Sequence, residues 1–196
     1  MKKSTIIWIA VAVVILGSFV WVKNVYNKLV SADENTQSMW SQVETVSQRR
    51  ADLTATNAAT AKGSRANESQ TLENVVAARA KATQVTVDPS DLTSESVEKF
   101  NEAQGELSTA LGKLLLIQEN YPDLKANENF RDLQAQLEGT ENRIATERMK
   151  FNQAVKEYNT NIRRFPSNII ASVFGFEQKG YFEAQAGSET APKVEF

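Results

Sequence analysis

Charged residues interrupt two otherwise apolar helical stretches, and they are the side chains of this chain most able to do chemistry. These residues are Arg49, Arg50, Asp52, Glu141, Arg143, Glu147 and Arg148. Arginines and carboxylates brought together inside a protein can form a buried polar site that binds a ligand. They can also form ion pairs that fix the alignment of neighbouring helices. We favour the ion pairs, because no nucleophile or histidine accompanies these residues.

The ion-pair interpretation predicts particular partners across the helices. Glu141 should pair with Arg50, and Arg148 should pair with Asp52 or Glu44. Such pairs specify how helices align and supply no reaction centre, so this interpretation predicts a structural role for both groups.

Histidine and cysteine are both absent from the sequence. Their absence excludes thiol chemistry, zinc sites of the Cys/His type and carboxylate–histidine di-iron bundles. Acidic residues such as Glu68, Glu73, Glu98 and Glu102 are typical of a solvated helix face. We therefore predict that the protein is not an enzyme and has no catalytic residue, no metal ligand, no cofactor and no cofactor-binding residue.

The charge balance argues against binding to nucleic acid. The chain has 22 basic and 24 acidic residues, which gives a net charge of −2. It therefore lacks the positive potential with which nucleic-acid-binding proteins attract phosphate.

Residues 4–22 form an unbroken uncharged run, with Lys2 and Lys3 before it and Lys23 after it. As a helix this run is about 28 Å long, which matches a hydrocarbon core of about 30 Å. We expect residues 1–23 to form a retained transmembrane anchor that contacts the lipid bilayer through the uncharged run. A cleaved secretory signal is the alternative, but the run exceeds the 7 to 15 apolar residues usual for a signal core.

Three long helical runs follow the anchor, because glycine and proline are scarce, with 8 and 4 residues. In the third run one apolar residue recurs every seven positions. These residues are Phe130, Leu137, Ile144, Phe151, Tyr158 and Phe165. A strict period of seven favours the shallow left-handed crossing of helical bundles and coiled coils.

The second run should begin near Asp88 or Ser90, either of which can cap a helix, with Pro89 in the first turn. Its expected core positions are Val97, Phe100, Ala103, Leu107, Ala110, Leu111 and Leu114. A short turn through residues 123–127 should then bring the third run back antiparallel.

The first run extends from about Asn24 to about Val85 and contains no proline. Its apolar stripes are Tyr26, Leu29, Val30, Thr36, Met39, Trp40, Val43 and Val46 near the anchor, and Leu72, Val75 and Val76 at the far end. Gly63 and Ser64 can kink or split this rod, which would give four helices instead of three. The sequence thus predicts an all-α fold, in which a single N-terminal transmembrane helix precedes an antiparallel up-and-down bundle of three to four long helices, residues 24–165.

Several strings in the chain carry a family resemblance. They are YNKLV at 26–30, WSQVE at 40–44, QRRADL at 48–53, NESQTLENVVAARA at 67–80, a long block at 121–159, FPSNIIA at 165–171 and FxxKGYFEA at 176–184. With these strings the chain resembles the LemA family of bacterial membrane proteins, from the anchor to about Ala184. The resemblance implies one N-terminal span followed by an antiparallel helical bundle, and it implies no established catalytic activity.

One stretch departs from the family pattern. Where the family typically reads RRADLIPNLVETVKGYA, this chain has RRADLTATNAATAKGSRA at residues 49–66. Small residues replace a proline and several large apolar residues there. The middle of the first run should therefore pack more loosely, or pack against small residues.

Residues 166–184 follow the last long helix and are rich in apolar and aromatic side chains. They can fold back over the end of the bundle as a cap, or they can dock onto a partner protein or the bilayer interface. Residues 185–196 are short and polar, and we expect them to be a disordered tail.

The orientation in the membrane follows weakly from charge. Lys2 and Lys3 precede the span while Lys23 and Lys28 follow it, so the positive-inside rule nearly ties. The acidic balance of the following domain favours its placement outside the cytoplasm. We expect a single-pass protein of the bacterial cytoplasmic (inner) membrane with an extracytoplasmic soluble domain.

These features together predict a membrane-anchored helical scaffold or protein-interaction module of the bacterial cell envelope. Its partners would be unidentified membrane or envelope proteins, or further copies of the chain as a homo-oligomer, and not nucleic acid. The alternative is an extracytoplasmic ligand or stress sensor that relays through a partner subunit. A pilin-like filament subunit is disfavoured, because the apolar run contains no acidic residue.

Overall fold

The computed structural model describes residues 3–62, 69–118 and 128–184. Its helices are α1 (Lys3–Lys62), α2 (Ser69–Gln84), α3 (Ser94–Gln118), α4 (Glu128–Arg163) and α5 (Ser167–Phe174). No strand occurs in the three described ranges, so the predicted all-α fold class is confirmed. The turn predicted at residues 123–127 and the tail predicted at residues 185–196 lie outside them.

The four long helices pack as an up-and-down bundle. Arg50 of α1 contacts Glu141 of α4, whereas Trp40, earlier in α1, contacts Phe151, later in α4. Contacts ordered in this way show that α1 and α4 are antiparallel. Because α1 and α2 are separate helices, the bundle has four long helices rather than three; residues 63–68 between them lie outside the described part of the chain.

The anchor and the first bundle helix form one uninterrupted element, α1. This helix is long and apolar enough to cross a membrane, with a mean hydropathy of 2.5 over an 18-residue window of which none is buried. The helix continues without a break from the apolar run into the bundle. The direction of α1 therefore determines the direction in which the bundle extends from the anchor.

The core consists of three apolar clusters arranged along the bundle axis. The lower cluster, nearest the anchor, contains Leu29, Tyr158, Ile162, Ile170 and Ala171. The middle cluster contains Trp40, Val43, Val87, Leu92, Val97, Phe100, Phe151, Val155 and Phe182. The upper cluster contains Leu72, Val75, Ala82, Leu107, Leu111, Leu114 and Leu137. Every long helix therefore contributes side chains to at least one cluster, as expected for a bundle with one continuous core.

The sevenfold stripe of α4 faces this core over most of its length. Its buried members are Leu137, Ile144, Phe151 and Tyr158. Phe165 is 76% exposed, so its assignment to the stripe is wrong. Because α4 ends at Arg163, Phe165 lies beyond the helix, where helical spacing no longer sets the direction of a side chain. The side chain of Phe130 lies outside the described residues.

The core positions expected on the other helices are mostly buried, with two corrections. Val76 of α2 is 47% exposed, because the adjacent Val75 already fills the inward face of this short helix. Tyr26 of α1 is 36% exposed, and its ring contacts Phe174 and Phe176 near the C-terminus instead of the other long helices.

The start of α3 differs from the prediction. We expected Asp88 or Ser90 to cap this helix, but it begins at Ser94. The carboxylate of Asp88 instead accepts hydrogen bonds from the backbone N–H and the hydroxyl of Ser90, at 2.8 and 2.7 Å, which forms a local turn. The helix is capped by Thr93, whose Oγ1 accepts a hydrogen bond from the N–H of Ser96 at 3.2 Å.

The part of α1 around Ala51 and Thr54, where the stretch of small residues begins, packs closely against α2. Ala51 and Thr54 are buried, with 2% and 0% of their surface exposed. The small side chain of Ala51 lets another helix approach its backbone, and Nε of Arg79 in α2 donates to the Ala51 carbonyl at 2.8 Å. Small residues here therefore permit close packing of α1 and α2.

Residues 175–184 follow α5 without regular secondary structure, and we call this segment the strap. Gly175 ends α5 with a φ of 74°, in the left-handed region that favours glycine, and the N–H of Phe176 donates to the Ala171 carbonyl at 2.9 Å. Further on, the N–H of Gly180 donates to the Leu92 carbonyl at 2.9 Å. The strap is thus held against the bundle by its own backbone.

Candidate functional site

Arg50 lies at the centre of a polar network inside the bundle, with 1% of its side chain exposed. Its Nη1 donates to the Glu141 carboxylate and to the Ser108 hydroxyl, both at 2.6 Å. Its Nη2 donates to the backbone carbonyl and to the side-chain oxygen of Gln104. The predicted pair between Arg50 and Glu141 is therefore confirmed, with partners on α3 that the sequence did not indicate.

The network reaches all four long helices. Nε2 of Gln104 on α3 donates to the Ala82 carbonyl on α2 at 3.2 Å, which links α2 to the network. Arg50 supplies the link to α1 and Glu141 the link to α4. A buried charged side chain is stable only where its donors are hydrogen-bonded to acceptors. If one helix shifted along another, Arg50 would lose its acceptors. The arrangement therefore fixes the register of the bundle.

Arg148 does not pair with Asp52 or Glu44, so that prediction is wrong. Asp52 is exposed and accepts a hydrogen bond from the neighbouring Gln48 at 2.9 Å. The guanidinium carbon of Arg148 instead lies 4.7 Å from the ring centre of Phe182, over the face of a strap residue. This cation–π contact replaces the expected ion pair.

The electrostatic environment of Arg148 is unfavourable for a cation. The pKa of its guanidinium is lowered to about 10, mainly by burial and also by the charge of Arg50, while the carboxylate of Glu141 partly compensates. A shallow cavity of about 330 Å³ adjoins Arg148 and is also lined by Asn152 and Phe182.

The remaining residues of the two charged groups are peripheral. Arg49 and Arg143 are exposed. Glu147 is buried along α4, and Nζ of Lys150, one turn away, lies 3.1 Å from its carboxylate. The structure therefore brings Arg50 and Glu141 together, places Arg148 near them, and leaves the other charged residues apart.

Two asparagines of α4 hold the strap, and the sequence analysis missed both. Asn159 donates to the carbonyl of Lys179 at 2.9 Å and accepts from its N–H at 3.0 Å. Asn152 makes the same two bonds to Phe182, both at 2.9 Å. Each amide side chain thus satisfies one backbone unit of the strap, as a neighbouring strand would. The available signal was their spacing of seven residues, each next to an aromatic residue of the stripe.

The two anchored residues of the strap also insert their side chains into the bundle. The ring of Phe182 stacks on Trp40 with centroids 5.6 Å apart and an interplanar angle of 8°, inside the middle cluster. The ammonium of Lys179 is 2.8 Å from the Asp33 carboxylate on α1, and 7% of the lysine side chain is exposed. The strap is therefore a structural part of the core.

Tyr158 offers a pH-dependent test of this packing. Burial, together with the negative charges of Asp33 and Glu177, raises the pKa of its hydroxyl to about 12. Because the raised pKa favours the neutral form, the associated stability is fully present below the ordinary value near 10 and is lost as the pH rises through about 12. In an ultraviolet titration the Tyr158→Phe variant should lack the highest-pH transition of the native protein. Loss of a transition near the ordinary pKa of about 10, with the highest-pH transition retained, would contradict the burial of this hydroxyl.

The arrangement of these polar groups supports assembly of the fold. Throughout the described ranges, no group of three or more acidic side chains has a geometry suited to a metal ion. Arg50, Asn152, Asn159 and Lys179 each bind the backbone or a side chain of another part of the bundle. The hydrogen bonds and ion pairs of these residues therefore hold the helices and the strap together.

An apolar N-terminal helix that continues into a bundle with such internal contacts defines a membrane-anchored helical-bundle protein. The chain belongs to the LemA family, whose family model matches residues 39–196. It is also similar to curated magnetosome proteins. Magnetosome protein MamQ 2 and Magnetosome protein MamQ 1 of Paramagnetospirillum magneticum are each 33% identical over 88 residues. Magnetosome protein MamQ of Magnetospirillum gryphiswaldense is 32% identical over 88 residues.

The similarity to these relatives covers only part of each chain. The matched part is 45% of this chain and 32% of each relative. The chain thus spans about a third of the length of the curated relatives that it matches.

Proposed function

We propose that this protein is a non-enzymatic scaffold, which presents a binding surface to other proteins of the bacterial cell envelope at a set distance from the membrane. One observation carries the proposal: the buried polar side chains of Arg50, Gln104 and Asn159 bind other parts of the bundle. Arg50 is the clearest case, since both of its terminal nitrogens donate to partners on other helices. The names of the MamQ relatives, which denote magnetosome proteins rather than enzymes, agree with a role that is not catalytic.

A groove along α2, α3 and the strap is the surface that best fits a protein partner. It has a volume of about 1040 Å³. Small residues form part of its lining, namely Ala78, Gly105 and Ala110, and they leave room for another chain. Its carboxylates are Glu98, Glu102, Glu106 and Glu183. Glu106 is paired with Lys81, and Lys113 also lines the groove. The three remaining carboxylates outnumber this lysine and favour a partner segment that carries basic side chains.

The rigid α1 helix would set the distance of this groove from the bilayer. The groove lies beside the part of α1 that contains Trp40 and Leu53, which share the middle and upper clusters with α2 and α3. At 1.5 Å per residue this part of α1 lies about 30 to 45 Å beyond Val22, the last residue of the apolar run. Anchoring at the membrane would raise the local concentration of the groove for membrane partners.

We also propose that the chain is a single-pass protein of the cytoplasmic membrane with its bundle outside the cytoplasm. Lys2 and Lys3, directly before the span, support this orientation, because the positive-inside rule places basic flanks of a span in the cytoplasm. In this arrangement residues 24–165 form the interaction domain, and residues 166–184 complete it.

Site-specific photo-crosslinking in living cells tests the proposed groove. A photoreactive amino acid at Glu102 in the groove should capture other envelope proteins. The same amino acid at Thr146, an exposed position at a similar height on α4, is the matched control and should capture none of them. Charge reversal at Glu98 should reduce the capture from Glu102, because a basic partner would then be repelled.

The outcomes separate the candidate functions. Equal capture from Glu102 and Thr146, or no capture from Glu102, would contradict the groove as the partner site. Capture of further copies of the chain alone would favour a homo-oligomeric scaffold. A sensor that relays through a partner subunit would instead capture one integral membrane protein, in an amount that changes with the stimulus.

A further inference from the structure

The short helix α5 lies at the membrane end of the bundle. Its inward residues Ile170 and Ala171 belong to the lower cluster, together with Leu29 of α1. Val22 and Val25 of α1 also pack against this cluster. Because Val22 is the last residue of the apolar run, α5 sits beside the point where the anchor leaves the hydrocarbon.

The opposite face of α5 is apolar and exposed. Ile169 is 53% exposed and Val173 is 73% exposed. Ile169 and Val173 are one helical turn apart, so they lie on the same face. Phe165, just before the helix, is 76% exposed. Large apolar side chains grouped in this way indicate a contact surface.

The depth of α5 identifies what covers this face. Residues 22–29 of α1, which α5 contacts, span about 10 Å along the helix axis. The headgroup region on each side of a bilayer is about 5 to 8 Å thick, beyond a hydrocarbon core of about 30 Å. With the apolar run in the hydrocarbon, α5 therefore falls within the headgroup region, where amphipathic helices bury their apolar faces.

The side chains around α5 suit the same environment. Tyr26 packs against Phe174 and Phe176, with ring centroids 4.8 and 5.8 Å apart, and aromatic rings are enriched at membrane interfaces. Arg163 and Arg164 are exposed at the adjacent end of α4. Arginines in this position can reach lipid phosphates while their stems cover apolar surface.

We infer that α5 is a second membrane contact, an interfacial helix whose Ile169 and Val173 side chains enter the bilayer surface beside the anchor. A single helix leaves its bundle free to tilt and rotate on the membrane. A second contact beside it restrains both motions, so the bundle faces are held in a defined orientation. The inference rests on insertion of the anchor and does not depend on the scaffold role.

Single-cysteine labelling of the full chain tests this inference, since the native sequence contains no cysteine. A fluorophore whose emission depends on polarity is attached at Val173→Cys, and at Met149→Cys as a matched control. Met149 is 67% exposed, but it lies on α4 beside the middle cluster, roughly 30 Å from the apolar run along the axis. A third label at Ala12→Cys reports insertion of the anchor. Each protein is reconstituted into vesicles of phosphatidylethanolamine and phosphatidylglycerol.

Quenching by lipid nitroxides and by aqueous iodide then gives the depth of each label. We expect the label at position 173 to be quenched by nitroxides near the headgroups and protected from iodide, with the reverse pattern at position 149. A label at 173 that iodide quenches as strongly as the label at 149 overturns the inference. Protection from both quenchers at 173 would also overturn it, because a second copy of the chain would then cover α5. Absence of lipid quenching at position 12 would overturn the anchor, and this inference with it.

Discussion

Replacement of Arg50 by alanine is expected to lower the free energy of unfolding by about 3 kcal/mol, the lower end for a disrupted buried ion pair. The lower end applies because the Glu141 side chain is 41% exposed and can be rehydrated once its partner is removed. The acceptor oxygens of Gln104 would lose their donor inside the bundle. Urea denaturation of the full chain in detergent micelles, followed by circular dichroism, measures the change.

The adjacent Arg49→Ala variant provides a matched control. It removes the same charge from the next residue, but Arg49 is exposed, so its expected effect lies within about 0.5 kcal/mol. Both variants should remain in the membrane fraction, since neither residue belongs to the apolar run. Equal unfolding curves for the two variants would refute the register role of Arg50.

Some interactions of the bundle leave a pattern in the sequence and others do not. The stripe from Leu137 to Tyr158 was predictable, because burial of one helix face imposes its period directly on the sequence. The pair of Arg50 and Glu141 was predictable because two opposite charges lay on faces that were otherwise apolar. The additional acceptors from Gln104 and Ser108 were not, since exposed and buried polar residues of α3 look alike in a sequence.

The errors have a common physical origin in the strap and the turns. Arg148 was expected to pair with a carboxylate, but its guanidinium lies over the ring of Phe182. Phe182 belongs to the strap, which has no helical periodicity, so the sequence pattern could not indicate this contact. Asp88 and Pro89 form a valid local start signal for a helix. In the structure that signal forms a turn, and Leu92 enters the middle cluster before α3 begins. Tertiary packing of one apolar residue thus decided the helix boundary.

The strap also joins the anchor end of the bundle to its middle cluster. It begins at α5, beside the anchor, and extends to the middle cluster, where Phe182 stacks on Trp40. Lys179 pairs with Asp33 between these two points. If α5 contacts the membrane as inferred above, the strap would connect this contact to the middle of the bundle. The orientation of the proposed partner groove would then depend on the strap.

Gly180→Ala is expected to detach the strap and to destabilise the protein by about 3 kcal/mol, which corresponds to the burial of one large aromatic side chain together with its hydrogen bonds. A Cβ at position 180 would lie 2.6 Å from Cα and 2.8 Å from N of Ser94, and 2.9 Å from the Thr93 carbonyl oxygen. These are backbone atoms at the start of α3, which cannot move aside as a flexible side chain can. The strap would have to retreat, and Phe182 would leave the middle cluster.

Limited digestion with trypsin and urea denaturation together test this expectation. Lys179 is buried in the native protein, so cleavage after it should be slow, whereas the Gly180→Ala variant should be cut there rapidly. The control is Gly139→Ala on α4, where an added Cβ meets nothing within 4 Å. Alanine is favoured over glycine inside a helix, so this control should be stabilised by about 0.5 to 1 kcal/mol. The same substitution is therefore expected to change the free energy of unfolding in opposite directions at the two positions. An unchanged digestion pattern in Gly180→Ala would show that the strap does not need this close backbone contact.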